Sequence, residues 1–485
     1  MSLTSKKVKK AVVVVETMSA DLLTPLAVFL KLSGWRKDSF LLESVEGGTN
    51  VARYSFIGVD PQALVSDEGD KTKIVSQDGT TMVNATVLVH LRELLETIEI
   101  DAGDETLPFA GGAIGYVGFD AVGWFEPSLS RPSSTSHVAQ FMIFNSIIAF
   151  DHVKQQIKII TLASETNDLA DGSVPNLERA TAKNQAIKHV LDHGEIILPA
   201  PLADVPNEES FLEWPRQEFE DAVVSIKEMI NAGECYQVVL SRQLRRKTAA
   251  SPVSIYRALR SINPSPYMFL LNIGKRSIIG ASPEMLVRCT GTKLEYRPIA
   301  GTRHRGADAI EDERLADEMR QDPKEVAEHQ MLVDLGRNDL GRVSKFGSVK
   351  VDKLMHVEKY SHVQHLVSEL SSELADGKDR FDALGSCFPA GTVSGAPKVR
   401  AVEIIRDLEP VDRGVYAGAV GYFDYAGNMD TCIAIRTIVL EEGIATIQTG
   451  AGIVADSVPA SEFEETVNKS RAMFKAIEIA EANSV

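Results

Sequence analysis

The sequence has little of what marks secreted, disulfide-rich or membrane proteins. It holds only four cysteines in 485 residues, and none forms a CxxC pair. Such spacing suits neither a disulfide framework nor a zinc site, so we interpret these cysteines as reduced thiols. The longest apolar runs, such as Ala11–Val15, are far shorter than a membrane span. We therefore expect a cytoplasmic protein without a membrane segment.

Net positive charge is lacking as well. The chain has 51 Lys and Arg against 68 Asp and Glu, a formal net charge of −17. A nucleic-acid-binding protein needs a basic surface to neutralise phosphates, so general nucleic-acid binding is excluded. A small anionic substrate is still compatible, because a few cations in a cleft dominate the local field. The basic N-terminus precedes AVVVV and Glu16 with no small-residue cleavage site, which predicts a first strand rather than a signal peptide.

Short β-branched and aromatic runs alternate with helical patterns along the chain. The strands predicted in the first half are Ala11–Val15, Phe40–Leu42, Arg53–Ile57, Phe141–Phe150 and Gln156–Leu162. The helices predicted there are Leu22–Leu32 and Thr86–Leu95. The glycine-rich segment 110–118 predicts a bend, and the proline-containing segment 198–209 predicts a linker. The pattern indicates an α+β protein with domains 1–205 and 206–485 and antiparallel-rich sheets covered by helices.

One helical segment, DPKEVAEHQMLVDLGRND, carries glutamates on one face. Asp322 suits the N-cap and Pro323 the first helical position, which makes Glu325 the partner in a capping box. Glu325 and Glu328 are three residues apart and share a helix face. The segment fits a capped surface helix, and it also fits a source of oxygen ligands for Mg²⁺.

A second such segment is SEFEETVNKSRAMF. Ser461 suits its N-cap and Glu464 its third helical position, while Glu462, Glu465 and Lys469 form one stripe. The spacing is compatible with a solvent-facing Glu465–Lys469 pair. It is equally compatible with carboxylates that converge on a metal with those of the first helix.

Three glycine-rich segments, predicted to be turns, lie in the C-terminal half: PIAGTRHRG, PAGTVSGAPK and QTGAGIV. Glycines let backbone N–H groups approach an anion, but each segment also fits an ordinary tight turn. None matches a phosphate-binding P-loop or a dinucleotide fingerprint in its strand and helix context.

Arg436 and His365 are the two further candidates for chemistry. Arg436 lies in the apolar run DTCIAIRT, predicted to be a strand, and an inward-facing arginine needs a carboxylate from the protein or from a ligand. His365 has His356 and His362 nearby, but no carboxylate or cysteine arrangement in the sequence supports zinc. We interpret His365 as a buried, hydrogen-bonded histidine or as a general acid or base.

These segments together resemble one family. PIAGTRHRG, KEVAEHQMLVDLGRND, HLVSE, GTVSGAPK, YAGAVGYF, DTCIAIRT and GAGIVADSVP follow the order found in the chorismate-utilising enzymes. Among these, the chain resembles the large subunits of anthranilate synthases from Leu41 to the last helix. The resemblance implies a two-domain fold whose sheets pack as a sandwich with helices outside. It also implies a Mg²⁺-dependent lyase that adds ammonia at C2 of chorismate, expels the C4 hydroxyl and eliminates pyruvate.

The resemblance also implies a role for individual residues. Glu284 in GASPE is the candidate acid for the departing hydroxyl, and His365 is the candidate base for the C2 proton. The metal ligands and their supporting neighbours are Glu328, Glu465, Glu325 and Glu462. The expected substrate contacts, with Thr392 counted among the catalytic residues, are Gly301, Thr302, Thr392, Tyr416, Arg436, Gly450, Ala451, Gly452 and Lys469.

Two positions separate this chain from its relatives. Members that add water carry a lysine base where Gln237 stands, and many aminodeoxychorismate synthases carry a nucleophilic lysine where Ala300 stands. Both residues favour C2 amination. An aminodeoxychorismate synthase lacking the lysine is the alternative enzyme, and a catalytically silent tryptophan sensor is the alternative of another class.

The first half also resembles the regulatory element of members inhibited by tryptophan. LLES (41–44) and RYSFIG (53–58) would form a tryptophan pocket with NPSPYM (263–268), although these runs are also compatible with plain strand core. The expected lining residues are Ser44, Pro266, Tyr267 and Met268. The cysteines lack the turn of a glutaminase nucleophile. We therefore expect the chain to use free ammonia alone and glutamine only with a glutamine amidotransferase subunit, as a hetero-oligomer.

Overall fold

The structure is a computed structural model of the chain. It describes residues 9–44, 53–101, 107, 109–131, 137–164, 176–202, 211–212, 214–360 and 363–483. His362 and most of the predicted linker, residues 203–209, lie outside the described residues. None of the helices in these ranges is long and apolar enough to cross a membrane.

The helices begin at residues that favour helix starts. Thr24 caps the first helix by accepting a hydrogen bond from the backbone N–H of Ala27 at 3.1 Å, and Pro25 is its first residue. The predicted helix from Leu22 therefore begins later. The helices are α1 (Pro25–Lys31), α2 (Val87–Leu95), α3 (Val122–Phe125), α4 (Leu177–His193), α5 (Arg216–Asn231), α6 (Pro252–Ile262), α7 (Ala309–Gln321), α8 (Pro323–Gly341), α9 (Arg380–Cys387), α10 (Lys398–Leu408) and α11 (Pro459–Ala482).

The strands fall into two groups by position in the chain. Those before residue 205 are β1 (Lys9–Ser19), β2 (Ser39–Glu43), β3 (Tyr54–Val59), β4 (Ala63–Glu68), β5 (Lys71–Ser76), β6 (Gly79–Val83), β7 (Ile98–Asp101), β8 (Gly112–Val117), β9 (Ala139–Phe144), β10 (Ser146–Asp151) and β11 (Gln156–Ser164). Those after it are β12 (Phe211–Leu212), β13 (Gln237–Lys247), β14 (Tyr267–Ile273), β15 (Arg276–Ser282), β16 (Met285–Thr290), β17 (Lys293–Tyr296), β18 (Ile299–His304), β19 (Lys350–Lys359), β20 (Val363–Glu373), β21 (Gly395–Ala396), β22 (Ala419–Asp424), β23 (Met429–Ile433), β24 (Thr437–Glu441) and β25 (Ile444–Ile453).

These strands form two large sheets that each contain strands from both halves of the chain. The first sheet runs β12-β13-β25-β24-β15-β14-β2-β3-β10-β11-β1-β7, and β21 pairs with β13. The second runs β18-β20-β17-β16-β23-β22-β8-β9-β4-β5-β6, and β19 pairs with β20. Among the described strands, neighbours within each sheet pair antiparallel except β1 and β7, which are parallel. The α+β class with antiparallel-rich sheets is confirmed, while the boundary at residue 205 stays a prediction.

The two sheets pack face to face over an aromatic core. Phe40 of the first sheet and Phe144 of the second meet edge to face, with ring centroids 5.0 Å apart. One continuous cluster of buried residues contains Phe56 and Phe269 from one sheet and Tyr116 from the other. Burial of such large apolar surfaces is the main force that holds the sandwich together.

Two predicted elements of the first half were wrong in detail. The run Phe141–Phe150 is not one strand, because the chain passes from the second sheet to the first at Asn145, between β9 and β10. The glycine-rich segment 110–118 contains a buried strand, β8, rather than a bend. A Cβ atom at Gly115 would come within 1.9 Å of the carbonyl oxygen of Gln140, so the glycine there permits close strand packing.

Candidate active site

A cavity of about 560 Å³ lies where β13, β18, β20 and β25 meet helices α8 and α11. It contains nearly all of the residues that the sequence predicts for catalysis, substrate binding and metal binding. Those that line it are Glu284, Gly301, Thr302, Glu328, His365, Thr392, Tyr416, Arg436, Gly450, Gly452, Glu462, Glu465 and Lys469. Ala451 and Glu325 do not line it.

The floor of the cavity is a strand, not the turn that the glycine-rich segment QTGAGIV predicts. Gly450 and Gly452 lie on one face of β25, opposite Ser241 and Val239 of β13. Since successive side chains alternate between faces, Ala451 lies on the other face, where it is fully buried in the core. Lys469 donates a hydrogen bond from Nζ to the carbonyl oxygen of Gly450 at 2.9 Å.

The segment PIAGTRHRG likewise forms a strand, β18, rather than a turn. Gly301 in it has a φ of +70°, and a Cβ there would lie 3.0 Å from a carboxylate oxygen of Glu325. A register shift between Ala300 and Thr302 interrupts the pairing of β18 with β20. The irregularity is a β-bulge, a device that often re-aims backbone groups beside active sites.

His365 on β20 is held by this bulge. Its Nδ1 atom lies 3.1 Å from the carbonyl oxygen of Gly301 and 3.0 Å from the hydroxyl oxygen of Thr302. The ring of Tyr360 packs against the imidazole at a centroid distance of 5.5 Å. Burial lowers the pKa of His365, partly offset by the hydrogen bond to Gly301, and Arg436 lowers it further. The imidazole is therefore neutral at neutral pH.

Glu284 has the opposite electrostatic setting. It lies between β15 and β16 and is 6% exposed. Burial raises its pKa to about 8, and the Thr392 hydroxyl and the Lys469 ammonium offset only part of this shift. The cavity thus contains a neutral carboxylic acid and a neutral imidazole, the pair that acid and base chemistry near neutral pH requires.

The prediction that Arg436 lies mid-strand was wrong. It lies between β23 and β24 with a φ of +49°. Its Nη1 atom donates to the side-chain oxygen of Asn263 at 3.1 Å. Within the described ranges no carboxylate forms an ion pair with it, and burial lowers its pKa. An arginine buried against a neutral partner leaves room for a ligand carboxylate.

Helices α8 and α11 bring carboxylates to one wall of the cavity. Asp322 caps α8 by accepting from the N–H groups of Lys324 and Glu325, as predicted. The Glu325 carboxylate turns to Arg303, 2.8 Å from its Nη1 atom. Burial raises the pKa of Glu328, and the neighbouring carboxylates of Glu325 and Glu465 raise it further.

The prediction that Ser461 caps α11 was wrong. The helix begins at Pro459 with Val458 at the N-cap, so Ser461 lies within the first turn. Burial also raises the pKa of Glu462, with a contribution from Glu465. Glu465 pairs with Lys469 at 2.7 Å, and both side chains remain about half exposed. The pair predicted as solvent-facing is therefore present, and it lines the cavity as well.

One histidine and carboxylate cluster was not predicted. His356, Glu358 and Glu369 have ligand atoms within 4.8 Å of one another, among the described residues. The cluster already holds cations, since Arg297 pairs with Glu358, and Lys353 pairs with Glu369 at 3.1 Å. It therefore forms a local ion-pair network beside His365.

Comparisons with known proteins show the family that this chain resembles. The family described as chorismate binding enzyme matches residues 37–475. The chain is 43% identical over 476 residues to anthranilate synthase component 1 of Acetivibrio thermocellus, covering 95% of this chain and 94% of the relative. It is 42% identical over 478 residues to that of Pseudomonas putida, covering 96% and 95%.

The chain belongs to the chorismate-binding enzyme family.

Solved structures of similar proteins agree. The anthranilate synthase component I of Streptococcus pneumoniae matches with a TM-score of 0.77 and 34% identity, covering 94% of this chain and 99% of that one. The menaquinone-specific isochorismate synthase of Escherichia coli matches with a TM-score of 0.70 at 18% identity, covering 98% and 96%, and shows the shared fold alone.

In this chorismate-binding chain the two discriminating residues, Gln237 and Ala300, both line the cavity. Several further lining residues were not predicted from the sequence: Lys324, Met331, Gln448 and Met473. Gln448 could have been found, because it alternates with Gly450 and Gly452 along one strand and so shares their face.

A second cavity of about 200 Å³ lies between the two halves of the chain. It is lined by the predicted Ser44, Pro266, Tyr267 and Met268, together with aromatic and charged neighbours. The Ser44 hydroxyl is buried and lacks a partner among the described residues. Glu43 beside it accepts from the Tyr256 hydroxyl at 2.5 Å.

The four cysteines of the chain, Cys235, Cys289, Cys387 and Cys432, are all buried and free. Burial raises the pKa of each thiol, to about 11 for Cys289 and about 12 for Cys387. The thiolate is the nucleophilic form, so these cysteines lack the environment of an activated nucleophile.

Proposed function

We propose that the chain is the chorismate-converting component of an anthranilate synthase, forming anthranilate, pyruvate and water from chorismate and ammonia. The observation that carries the proposal is the pairing, in one cavity, of an uncharged acid at Glu284 with an uncharged base at His365. The names of the full-length relatives support the same reaction.

In the first step ammonia adds at C2 and the hydroxyl at C4 is lost. Ammonia forms a bond to C2 of chorismate, the ring double bonds shift, and the C4–O bond breaks. Glu284 gives its proton to the departing hydroxyl, which leaves as water. The raised pKa supports this role, because an ionised carboxylate has no proton to give. The ammonium group formed at C2 then releases a proton to solvent and becomes a neutral amine, and solvent returns a proton to Glu284.

The second step makes the ring aromatic. Because the carbonyl of Gly301 only accepts hydrogen bonds, the proton of neutral His365 lies on Nδ1 and leaves Nε2 as a free base. Nε2 takes the proton at C2, the C3–O bond breaks, and enolpyruvate leaves and takes up a proton to become pyruvate. Anthranilate remains.

Substrate binding would use the cations and polar groups of the cavity. Arg436, buried without a carboxylate partner in the described chain, would pair with the carboxylate of the enolpyruvyl side chain. Thr302, Thr392 and Tyr416 would donate or accept hydrogen bonds around the ring. The backbone of residues 450–452 and Lys469 would complete the site.

Mg²⁺ fits the wall formed by α8 and α11. Glu328 and Glu465 would hold it, supported by Glu462 and Glu325. Burial raises the pKa of Glu328 and of Glu462, and neighbouring carboxylates raise it further by a repulsion that a cation would relieve. Bound Mg²⁺ would neutralise the ring carboxylate of chorismate and the charge that develops there.

The alternatives differ at two cavity positions. Gln237 offers an amide where a lysine base would activate water, so isochorismate formation is disfavoured. Ala300 offers no nucleophile, which disfavours an aminodeoxychorismate synthase that depends on a lysine there. Both side chains line the cavity, so these two differences from other family members lie in the site itself.

The second cavity is proposed to bind tryptophan as a feedback inhibitor. Its apolar lining suits an indole, and the unpartnered Ser44 hydroxyl with the buried Glu43 suits the polar end of an amino acid. Because strands of both halves border this cavity, occupation would bias their packing and the distant active site. Reciprocity then requires chorismate to weaken tryptophan binding.

Ammonia is proposed to come from a glutaminase partner in a hetero-oligomer. The relatives are named component 1, and none of the four cysteines here has the environment of a glutaminase nucleophile. The chain alone should therefore use ammonium salts and not glutamine.

Product identification tests the proposal. The purified chain is incubated with chorismate, Mg²⁺ and ammonium, and the products are separated by chromatography. Anthranilate supports the proposal. An aminated product that keeps its enolpyruvyl group would instead identify the chain as an aminodeoxychorismate synthase. Tryptophan binding without turnover would identify it as a catalytically silent tryptophan sensor.

A further inference from the structure

Gln448 is a buried polar residue in the active-site wall that the mechanism above does not use. It lies on β25, on the same face as Gly450 and Gly452, and all three residues line the cavity. The residue is 4% exposed. Its Oε1 atom is buried and has no hydrogen-bond partner within the described part of the chain.

A chain of hydrogen bonds fixes the orientation of this amide. Arg413 and Glu409 form a buried ion pair with a closest approach of 2.5 Å. The Ser241 hydroxyl donates to a Glu409 carboxylate oxygen at 2.9 Å, and the Ser241 N–H donates to the same oxygen at 2.8 Å. Because its one proton is committed to Glu409, the Ser241 hydroxyl can only accept from Gln448, whose Nε2 lies 2.9 Å away.

The amide of Gln448 therefore cannot turn over. If it did, its oxygen would face a hydroxyl with no proton to give. The network holds Nε2 towards Ser241 and leaves Oε1 as an unsatisfied acceptor on a residue that lines the catalytic cavity. Buried acceptors in proteins nearly always have a donor, so a donor from a ligand is expected here.

The chemistry of the two substrates indicates which ligand supplies the donor. Chorismate carries two carboxylates and an ether, which only accept, and its single hydroxyl is the group that Glu284 protonates. Ammonia has three N–H donors and is small enough to enter the wall of the cavity.

We propose that Gln448 Oε1 binds the attacking ammonia by accepting one of its hydrogen bonds, an inference that rests on the proposed function. As the nitrogen bonds to C2 it gains positive charge, and its N–H groups become stronger donors. The contact to a fixed acceptor therefore strengthens towards the transition state, which is the requirement for a contact that accelerates a reaction.

The test is steady-state kinetics of Gln448→Met, which keeps the length of the side chain and removes the acceptor. Ammonium is varied at saturating chorismate, and chorismate at saturating ammonium. The expected result is a rise of about tenfold in the KM for ammonium, or an equal loss in kcat/KM for ammonium, with the chorismate KM within about twofold. A merely structural role would disturb both substrates alike.

Gln243→Met is the matched control. Gln243 is the residue opposite Gln448 across β13 and β25, is also buried, and accepts from Arg245 at 3.0 Å without lining the cavity. Its variant should keep both KM values. If Gln448→Met does not fold, Gln448→Asn, which withdraws the acceptor by one methylene, decides by the same criterion.

The outcomes separate the inference from the proposed function. Wild-type chain that forms no anthranilate from ammonium overturns the proposed function and the inference with it. An active wild type whose Gln448 variants keep the ammonium KM, or lose chorismate binding equally, overturns the inference alone.

Discussion

The Nδ1 atom of His365 lies 3.1 Å from the carbonyl oxygen of Gly301, at the bulge of β18. This contact requires a proton on Nδ1 and leaves Nε2 without one. The strand that carries the glycine-rich segment therefore does more than border the cavity, since its backbone sets the tautomer of the proposed base. Such orientation by a backbone carbonyl is how proteins commonly define a histidine's role.

Replacing His365 should separate the two steps of the reaction. In His365→Ala the elimination loses its base, so anthranilate formation should fall about 10²–10⁴-fold. Ammonia addition needs no base at C2, so the aminated intermediate that retains its enolpyruvyl group should be released. Chromatography of the reaction mixture measures both. His304→Ala, an exposed histidine of the same bulged strand, is the control; loss of both products in His365→Ala would contradict the assignment.

Replacing Glu284 should cost activity and add stability. Its pKa is raised to about 8 in the folded protein, against 4.5 for an ordinary glutamate, so the folded state holds a proton that the unfolded state loses. Wild-type stability therefore falls as the pH rises through this interval. Glu284→Gln stays neutral, so the gain in its thermal midpoint over wild type should grow from pH 5 to pH 8 while turnover is lost. A midpoint difference independent of pH would contradict the buried acid.

The same values predict the pH profile of wild-type kcat/KM for chorismate. On the alkaline side activity should fall with an apparent pKa near 8, as Glu284 loses its proton. On the acid side it should fall only below the ordinary histidine range, because burial lowers the pKa of His365. At a saturating concentration of free ammonia held constant across the series, a profile that rises through pH 8 would be inconsistent with Glu284 as the acid.

Removing a metal ligand should abolish the Mg²⁺-dependent turnover. Glu465→Ala removes a proposed ligand from an exposed turn of α11, so the fold should be unaffected and turnover should fall at least 10²-fold at any Mg²⁺ concentration. Glu464→Ala is the matched control, since Glu464 is also half exposed on α11 and pairs with Arg216 at 2.8 Å away from the cavity lining. Near-normal activity of Glu465→Ala would refute the metal assignment.

Changing the second cavity should alter inhibition and not catalysis. Ser44→Ala removes the one hydroxyl there that is buried without a partner in the described chain, so tryptophan inhibition should weaken by about 5- to 10-fold with kcat retained. Inhibition curves at fixed chorismate measure the change. Ser66→Ala in β4, outside the cavity lining, should leave inhibition as it is. Unchanged inhibition in Ser44→Ala would place the effector elsewhere.

Much of the fold and site follows from the sequence, because long motifs and caps are local signals. Asp322 and Pro323 predict the start of α8. The order of the motifs predicts the family, and with it the residues of α8, β20 and β25 that line the cavity. Where the start of a helix was predicted wrongly, a competing local signal was the reason. Ser461 is a good cap by composition, yet Pro459 starts α11 one turn earlier because it fits the first helical position.

Other errors came from glycine. The segments around Gly115, Gly301 and Gly450 suggest turns, but their glycines lie within strands and permit close approach of neighbouring backbones or of the cavity contents. The apolar neighbours of Arg436 predict that it lies within a strand. In the structure the chain leaves the sheet at Arg436, which has a positive φ. The unpartnered amide oxygen of Gln448 could not be predicted from the sequence, because the orientation of the amide depends on Ser241 and Glu409, which are distant in sequence.

The central claim is that this cavity aminates chorismate at C2 and then expels pyruvate. The most direct measurement follows anthranilate by fluorescence and pyruvate by a coupled dehydrogenase in one reaction of the purified chain with chorismate, Mg²⁺ and ammonium. The account predicts equal amounts of the two products, none without ammonium and none with glutamine in its place. Pyruvate without anthranilate, or consumption of chorismate that needs no ammonium, would contradict it.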